Sequence, residues 1–192
     1  MTILILGLIL FLGLHSVRIV AEDWRNAMRA RLGEGAWKGL YSVVALVGFG
    51  LIVYGFGLAG ANPVVLWTPP VAMRHVSAPI VMIAFIFLAA AYVPRNGIKA
   101  KLHHPMILGV KMWAAGHLLA NGKLHDAVLF ASFLAWSVLC LRAARRRDAA
   151  AGTVYPAGTR GATIVTILAG VAAWWVFAFW LHALLIGVRP LP

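Results

Sequence analysis

Six stretches of the chain are apolar enough and long enough to read as membrane spans. They run from Thr2 to about Ala21, Leu40 to Ala59, Ser77 to Tyr92 (closed by Pro94), His104 to Ala120, Leu124 to Leu141 and Ala162 to Val188. A helix needs about 20 mainly apolar residues to cross a bilayer. Lipid offers no partner to a free backbone group, so only helices and closed barrels span it. These runs are continuous rather than alternating, which selects helices. The expectation is an all-α, polytopic bundle of about six spans, forming one domain over residues 1–192. Composition agrees: only 11% of the residues are charged, against about 25% in soluble domains. The single cysteine, Cys140, excludes a disulfide framework and a cysteine-held zinc or iron–sulfur centre. The first run stands where a signal peptide would, but no positive residue precedes it and no small-residue cleavage site follows, so it is read as a retained span.

Turn signals and charges organise the spans. Asn121-Gly122 makes the fourth and fifth an antiparallel hairpin, and Asn62-Pro63 and Thr68-Pro69-Pro70 break the chain after the second. Seventeen Lys and Arg against five Asp and Glu give a net charge of +12. In a soluble chain that excess would suggest nucleic acid. Here its placement explains it. Arg25, Arg29, Arg31 and Lys38 lie on the first loop, Arg95, Lys99 and Lys101 on the third, and Arg142, Arg145, Arg146, Arg147 and Arg160 on the fifth. Outside the spans only Arg74, Lys123 and Arg189 lie elsewhere. The positive-inside rule then puts the odd loops in the cytoplasm and both termini outside, periplasmic in a bacterial inner membrane. The expected partner is membrane lipid, with no nucleic acid, and Arg145–Arg147 attract anionic lipid.

Polar residues inside the spans carry the functional information. The five carboxylates, Glu22, Asp23, Glu34, Asp126 and Asp148, fall in loops or at span edges, so no carboxylate pair for proton pumping or glycoside chemistry is expected within the membrane. What remains at depth is basic: His15, Arg18, His104, Lys111, His117 and His182. Ionisable residues there are costly and usually functional. Neutral imidazole is the commonest metal ligand and a haem ligand; the plain alternative for each histidine is a hydrogen bond between helices. At roughly 100° per residue His15 and Arg18 share a face, as do His104 and Lys111, whereas His117 lies roughly 140° round from His104 with Trp113 on its side. The glycines at 48, 50, 55 and 57 give the second span a thin surface, suited to helix packing or to a flat ligand. Trp174, Trp175, Phe177, Phe179 and Trp180 of the last span either face lipid or wall a hydrophobic pocket. His75, His103 and His125 stand near span ends, where solvation is expected. Cations at depth need partners, and the carboxylates look too few to supply them.

Gly13-Leu14-His15-Ser16, His104-Pro105-Met106-Ile107-Leu108-Gly109 and Trp113-Ala114-Ala115-Gly116-His117-Leu118-Leu119-Ala120-Asn121-Gly122 together resemble the NnrU family, and the resemblance covers nearly the whole chain. The family takes its name from bacterial proteins needed for nitrite and nitric oxide reduction in denitrifiers. It is also similar to the 15-cis-zeta-carotene isomerases, membrane enzymes that use haem b in a redox-dependent isomerisation. The resemblance implies haem b with His15 and His117 as axial ligands; His104, closer to His15 in depth but facing away from the Trp113 and His117 side, is the reserve ligand. Arg18 and Lys111, with Arg74 and Arg95 at the span ends, would meet the anionic propionates, and Trp113 would lie beside the cofactor. A further histidine of the isomerases is Trp136 here. A fainter likeness links His103-His104-Pro105 to the Arg-His-Pro of isoprenylcysteine-type methyltransferases, without the acidic pair those carry in the last span.

Three readings follow. The first is a haem-b-binding, redox-active membrane protein serving nitric oxide or nitrite reduction, with the reductase machinery as partner. The second is a haem-dependent isomerase of a polyene or other hydrophobic small molecule. The third is a non-catalytic accessory factor for reductase assembly. Depth weighs on the ligand pair: His15 and His117 sit on opposite sides of the span midpoints, about 13 Å apart in height at 1.5 Å per residue.

Overall fold

The computed structural model describes residues 1–191. The apolar runs form α1 (Thr2–Val20), α3 (Glu34–Ala61), α4 (Ala72–Tyr92), α6 (Pro105–Ala120), α7 (Leu124–Ala151) and α8 (Arg160–Val176); between and after them lie the short helices α2 (Glu22–Leu32), α5 (Gly97–Leu102) and α9 (His182–Ile186). A π-helical turn, Phe177–Leu181, joins α8 to α9. The bundle is all-α, as the apolar runs require.

Among the described residues five segments are long and apolar enough to cross a membrane: α1, α3, α4, α7 and the run Arg160–Ile186. The fourth expected span, α6, falls short. Its 16 residues reach about 24 Å at 1.5 Å each, against about 30 Å of hydrocarbon. Its ends explain this. Pro105 fits only the first turn of a helix, and Asn121 turns to extended backbone at φ −124 and ψ 138. With α4 on one side and α7 on the other, protein takes up the mismatch that lipid would otherwise bear.

In space the helices stand in the order α3, α1, α7, α6, α4, α8. The α1–α3 contact is close because Gly48 and Gly55 face α1. A Cβ on Gly48 would lie 2.9 Å from the Phe11 backbone nitrogen, and one on Gly55 would collide with the Leu4 backbone. Gly50 and Gly57 face open space, so two of the four glycines serve packing. Leu4 and Leu8 of α1, Ile52 of α3, Ala114 of α6 and Leu129 and Phe130 of α7 form the core where these elements meet. The α6–α7 hairpin closes as the Asn121-Gly122 signal predicts, and the Gly122 carbonyl accepts from the Leu66 and Trp67 amides at 2.8 and 3.1 Å, clamping the α3–α4 connection.

Several helix bounds differ from the apolar runs. Helix α3 begins at Glu34 and α7 continues to Ala151, because lipid exit ends an apolar run but not a helix. Ala and Arg are strong helix formers, and α7 stops only where Gly152 takes the left-handed conformation at φ 59. The polar helix α2 gives no span signal at all. At the third loop Asn96, 1% exposed, accepts from the Lys99 amide and donates to the Ala90 and Val93 carbonyls. It thereby fixes the start of α5.

Candidate functional site

At one end of the bundle α3 and α7 touch: His125 packs edge-on against Phe56 with ring centroids 4.8 Å apart, and Gly60 lies beside it. His125 is therefore buried, 4% exposed, rather than solvated, because the start of α7 is covered by the end of α3. At the opposite, arginine-rich end, α1 places His15 between the two helices. The His15 ring lies 5.3 Å from Tyr41 of α3 and 6.1 Å from Trp136 of α7, edge to face with both, and 4.2 Å from Phe11 one turn back. Its Nδ1 is 2.7 Å from the Phe11 carbonyl. A carbonyl can only accept, so Nδ1 carries a proton in this contact, and in the Nδ1–H tautomer the lone pair stands on Nε2.

Basic residues rim this end. Arg18 is exposed and pairs with Glu22 at 3.6 Å; Arg147 reaches the same carboxylate oxygen at 3.6 Å and donates to the Arg18 carbonyl. The expected lack of a carboxylate for Arg18 is thus corrected: Glu22, four residues on, supplies it because helical conformation resumes straight after Ala21. Arg25 on α2 has its pKa lowered, first by partial burial and then by the charges of Arg18 and Arg29. The i,i+4 spacing of Arg18 and Glu22 was legible in the sequence; the arrival of Arg147 was not.

His117 repeats the device in α6. Its Nδ1 is 2.8 Å from the Trp113 carbonyl, again leaving Nε2 free, and its ring stacks on Phe130 at 4.6 Å. The structure does not bring His15 and His117 together. Between them runs a chain of rings, Phe11 to Phe133 at 5.9 Å and Phe133 to Trp113 at 5.5 Å, with Trp113 5.3 Å from His117. The rings they touch on α7, Trp136 and Phe130, are six residues apart, about 9 Å of helix rise. Trp113 lies beside His117, as the sequence implied, and fills the space toward His15.

His104 is engaged elsewhere. Its Nε2 lies 2.8 Å from Asp148 Oδ2, the oxygen that also accepts from the Tyr155 hydroxyl at 2.8 Å. His103, at φ 67, stacks on Tyr155 at 4.1 Å and 2°. Two open depressions of about 330 and 250 Å³ flank His103. Forty-four residues separate His104 from Asp148, and no sequence signal joins them. Lys111 is half-buried in α6 with no hydrogen bond or ion pair among the described residues. Arg74 is exposed at the start of α4, and Arg95 takes φ 54 in the turn before α5. Neither approaches the rings around His15. His182 Nδ1 is bonded to the Val188 carbonyl. Trp175, Phe179 and Trp180 are about half exposed, which favours lipid contact for the last span.

Among the described residues no cluster of three or more His, Cys, Asp or Glu could hold a metal ion. The chemistry on offer is lone-pair donation from His15 and His117 among aromatic rings, with arginines at one edge. One buried side-chain polar atom, Trp136 Nε1, has no hydrogen-bond partner. No curated protein and no solved structure matches the chain. The family model described as NnrU protein matches residues 3–190, and the chain belongs to the NnrU family.

Proposed function

We propose that the chain is a haem-b-binding integral membrane protein, in which His15, set between α3 and α7, would hold the iron through Nε2. The observation that carries this reading is His15 itself, a histidine with Nδ1 held by the Phe11 carbonyl and its ring set between Tyr41 and Trp136. The donor set fits the group. An imidazole with a free lone pair serves iron, flat aromatic walls suit a macrocycle, and Arg18, Arg25 and Arg147 suit its carboxylates. When bound, haem supplies a one-electron centre whose reactivity follows its ligation. The chain's residues do the rest. The Phe11 carbonyl fixes the imidazole tautomer and raises its basicity, Phe11 and Phe133 keep water away, and the arginines balance negative charge.

The function that accompanies this reading, on the resemblance, is service to nitric oxide or nitrite reduction in a bacterial inner membrane. Both termini are periplasmic and the arginine-rich end cytoplasmic, which the loop charges support. The second reading joins His15 and His117 on one haem. The matching posture of His117 favours it, but Phe133 and Trp113 would have to move aside, and Lys111 would then be free for a carboxylate. Spectra of purified His15→Ala and His117→Ala proteins decide. Loss of the haem band in His15→Ala alone supports the first reading; a change from low-spin to high-spin in both supports the second. A wild-type protein purified from haem-replete cells without a Soret band would sink both and leave an accessory role.

A further inference from the structure

Trp136 follows His125 by eleven residues, about three helical turns on the same face of α7, so it lines the side of α7 turned toward α3. Its ring stands at 88° to that of His15. Its indole Nε1 is buried, and it is the one buried side-chain polar atom among the described residues without a partner. Buried tryptophan N–H groups usually find an acceptor, and an unmet one calls for an explanation, the more so where lipid rather than water surrounds the bundle. The acceptor offered by the neighbouring ring is His15 Nε2, the atom assigned above to iron, so it does not serve the indole in the loaded protein.

We infer that Trp136 is a binding residue of the site proposed beside His15, its indole N–H donating to a carboxylate oxygen of the molecule held there. The ligand is thereby assigned as a flat apolar body with an acid group on its edge. The inference rests on the haem reading, in which that acid is a propionate. The charge at the rim agrees: Arg18 and Arg147 share the single carboxylate of Glu22, leaving positive charge for a second anion. Side chains rather than water close over the indole nitrogen, so the ligand meets it by displacing one of them.

The test uses full-length protein in lipid nanodiscs, titrated with haem b, with diamagnetic zinc protoporphyrin and with the dimethyl esters of both. Affinity is read from absorbance, and the Trp136 indole ¹⁵N–¹H resonance is assigned by its absence in Trp136→Phe, or in Trp136→Tyr should the first variant not fold. Loss of a hydrogen bond to a charged acceptor should weaken zinc protoporphyrin about tenfold in Trp136→Phe, with little change for the ester. The wild-type indole resonance should move further downfield with the acid than with the ester, which shares its ring current and offers only a weaker carbonyl acceptor. Binding without that shift, or equal affinities of variant and wild type for the acid, overturns the inference and leaves the haem reading standing. An indole already hydrogen-bonded before any porphyrin is added, to water or to His15, overturns it too. Failure of the wild type to bind either porphyrin overturns both.

Discussion

Replacing Gly48 by alanine should disturb the site without touching it. The new Cβ would stand 2.9 Å from the Phe11 nitrogen and 3.1 Å from its Cα and Cβ. Ordinary contact begins near 3.4 Å, so α1 and α3 must part by about 0.5 Å at Phe11. Two of the three clashing atoms are backbone, and no rotamer change relieves them. Overpacking of this kind typically costs about 1–3 kcal/mol. Part of that is returned because alanine favours a helix over glycine by about 1 kcal/mol. A net loss of about 1 kcal/mol is expected. The displacement falls on the residue whose carbonyl holds His15, and ligand sites lose function when their supports move by such amounts. Gly50→Ala is the control: it gains the same helix propensity, and its Cβ meets nothing within 4 Å. Thermal unfolding in detergent should place Gly48→Ala below wild type and Gly50→Ala at or above it, and haem retained after purification should fall in Gly48→Ala alone. Equal melting of the two variants would refute the reasoning, since propensity would then be the sole effect.

Other outcomes follow from single side chains. Asn96→Ala leaves the Lys99 amide and the Ala90 and Val93 carbonyls without their partner; it should cost about 2 kcal/mol or more, read by thermal unfolding, and unchanged stability would contradict it. Ser77→Ala removes the 2.8 Å bond to the Gly116 carbonyl across α4 and α6 and should cost about 1 kcal/mol, a milder loss because that carbonyl keeps its helical role. Tyr155 has its pKa raised from the ordinary 10.0 by burial and then by its hydrogen bond to Asp148. Since the neutral phenol is the favoured form, its bond to Asp148 is complete below pH 10 and is lost as pH rises through the raised value. Tyr155→Phe should delete one phenolate step above pH 10 in an absorbance titration, and an unaltered titration would show that another tyrosine supplies that step.

Five of the six expected spans were legible because burial in lipid writes apolar residues over their full length; α6 is as apolar but short, and the α6–α7 hairpin was legible because Asn121-Gly122 has few other uses. Helix bounds beyond the lipid were not, since Arg142 and Arg145–Arg147 satisfy helix and water equally. The faces of single helices could also be read: His15 with Arg18, and His117 with Trp113, stand as the 100° rotation places them. Their neighbours on other helices could not, because a periodic pattern says which side is covered but not by what. Thus the pairing of His104 with Asp148, the joining of Arg147 to Glu22 and the burial of His125 against Phe56 all waited on helix order. The height difference between His15 and His117 was foreseen from the span midpoints; the rings of Phe133 and Trp113 filling the gap were not.

The position of α7 between α1 and α6 has a consequence for biogenesis. Chain synthesis delivers α1 and α3 first and α4 and α6 next, and α7 is the helix that packs on members of both groups. Until α7 leaves the insertion machinery, the bilayer holds two helix hairpins tied by the connection from Asn62 to Val71, each free to diffuse against the other. The wall opposite Tyr41 does not yet exist, and His15 faces acyl chains. A molecule bound beside His15 would therefore meet its complete wall only after about three-quarters of the protein has been made, and a ribosome stalled before Leu124 would leave an inserted chain without that wall.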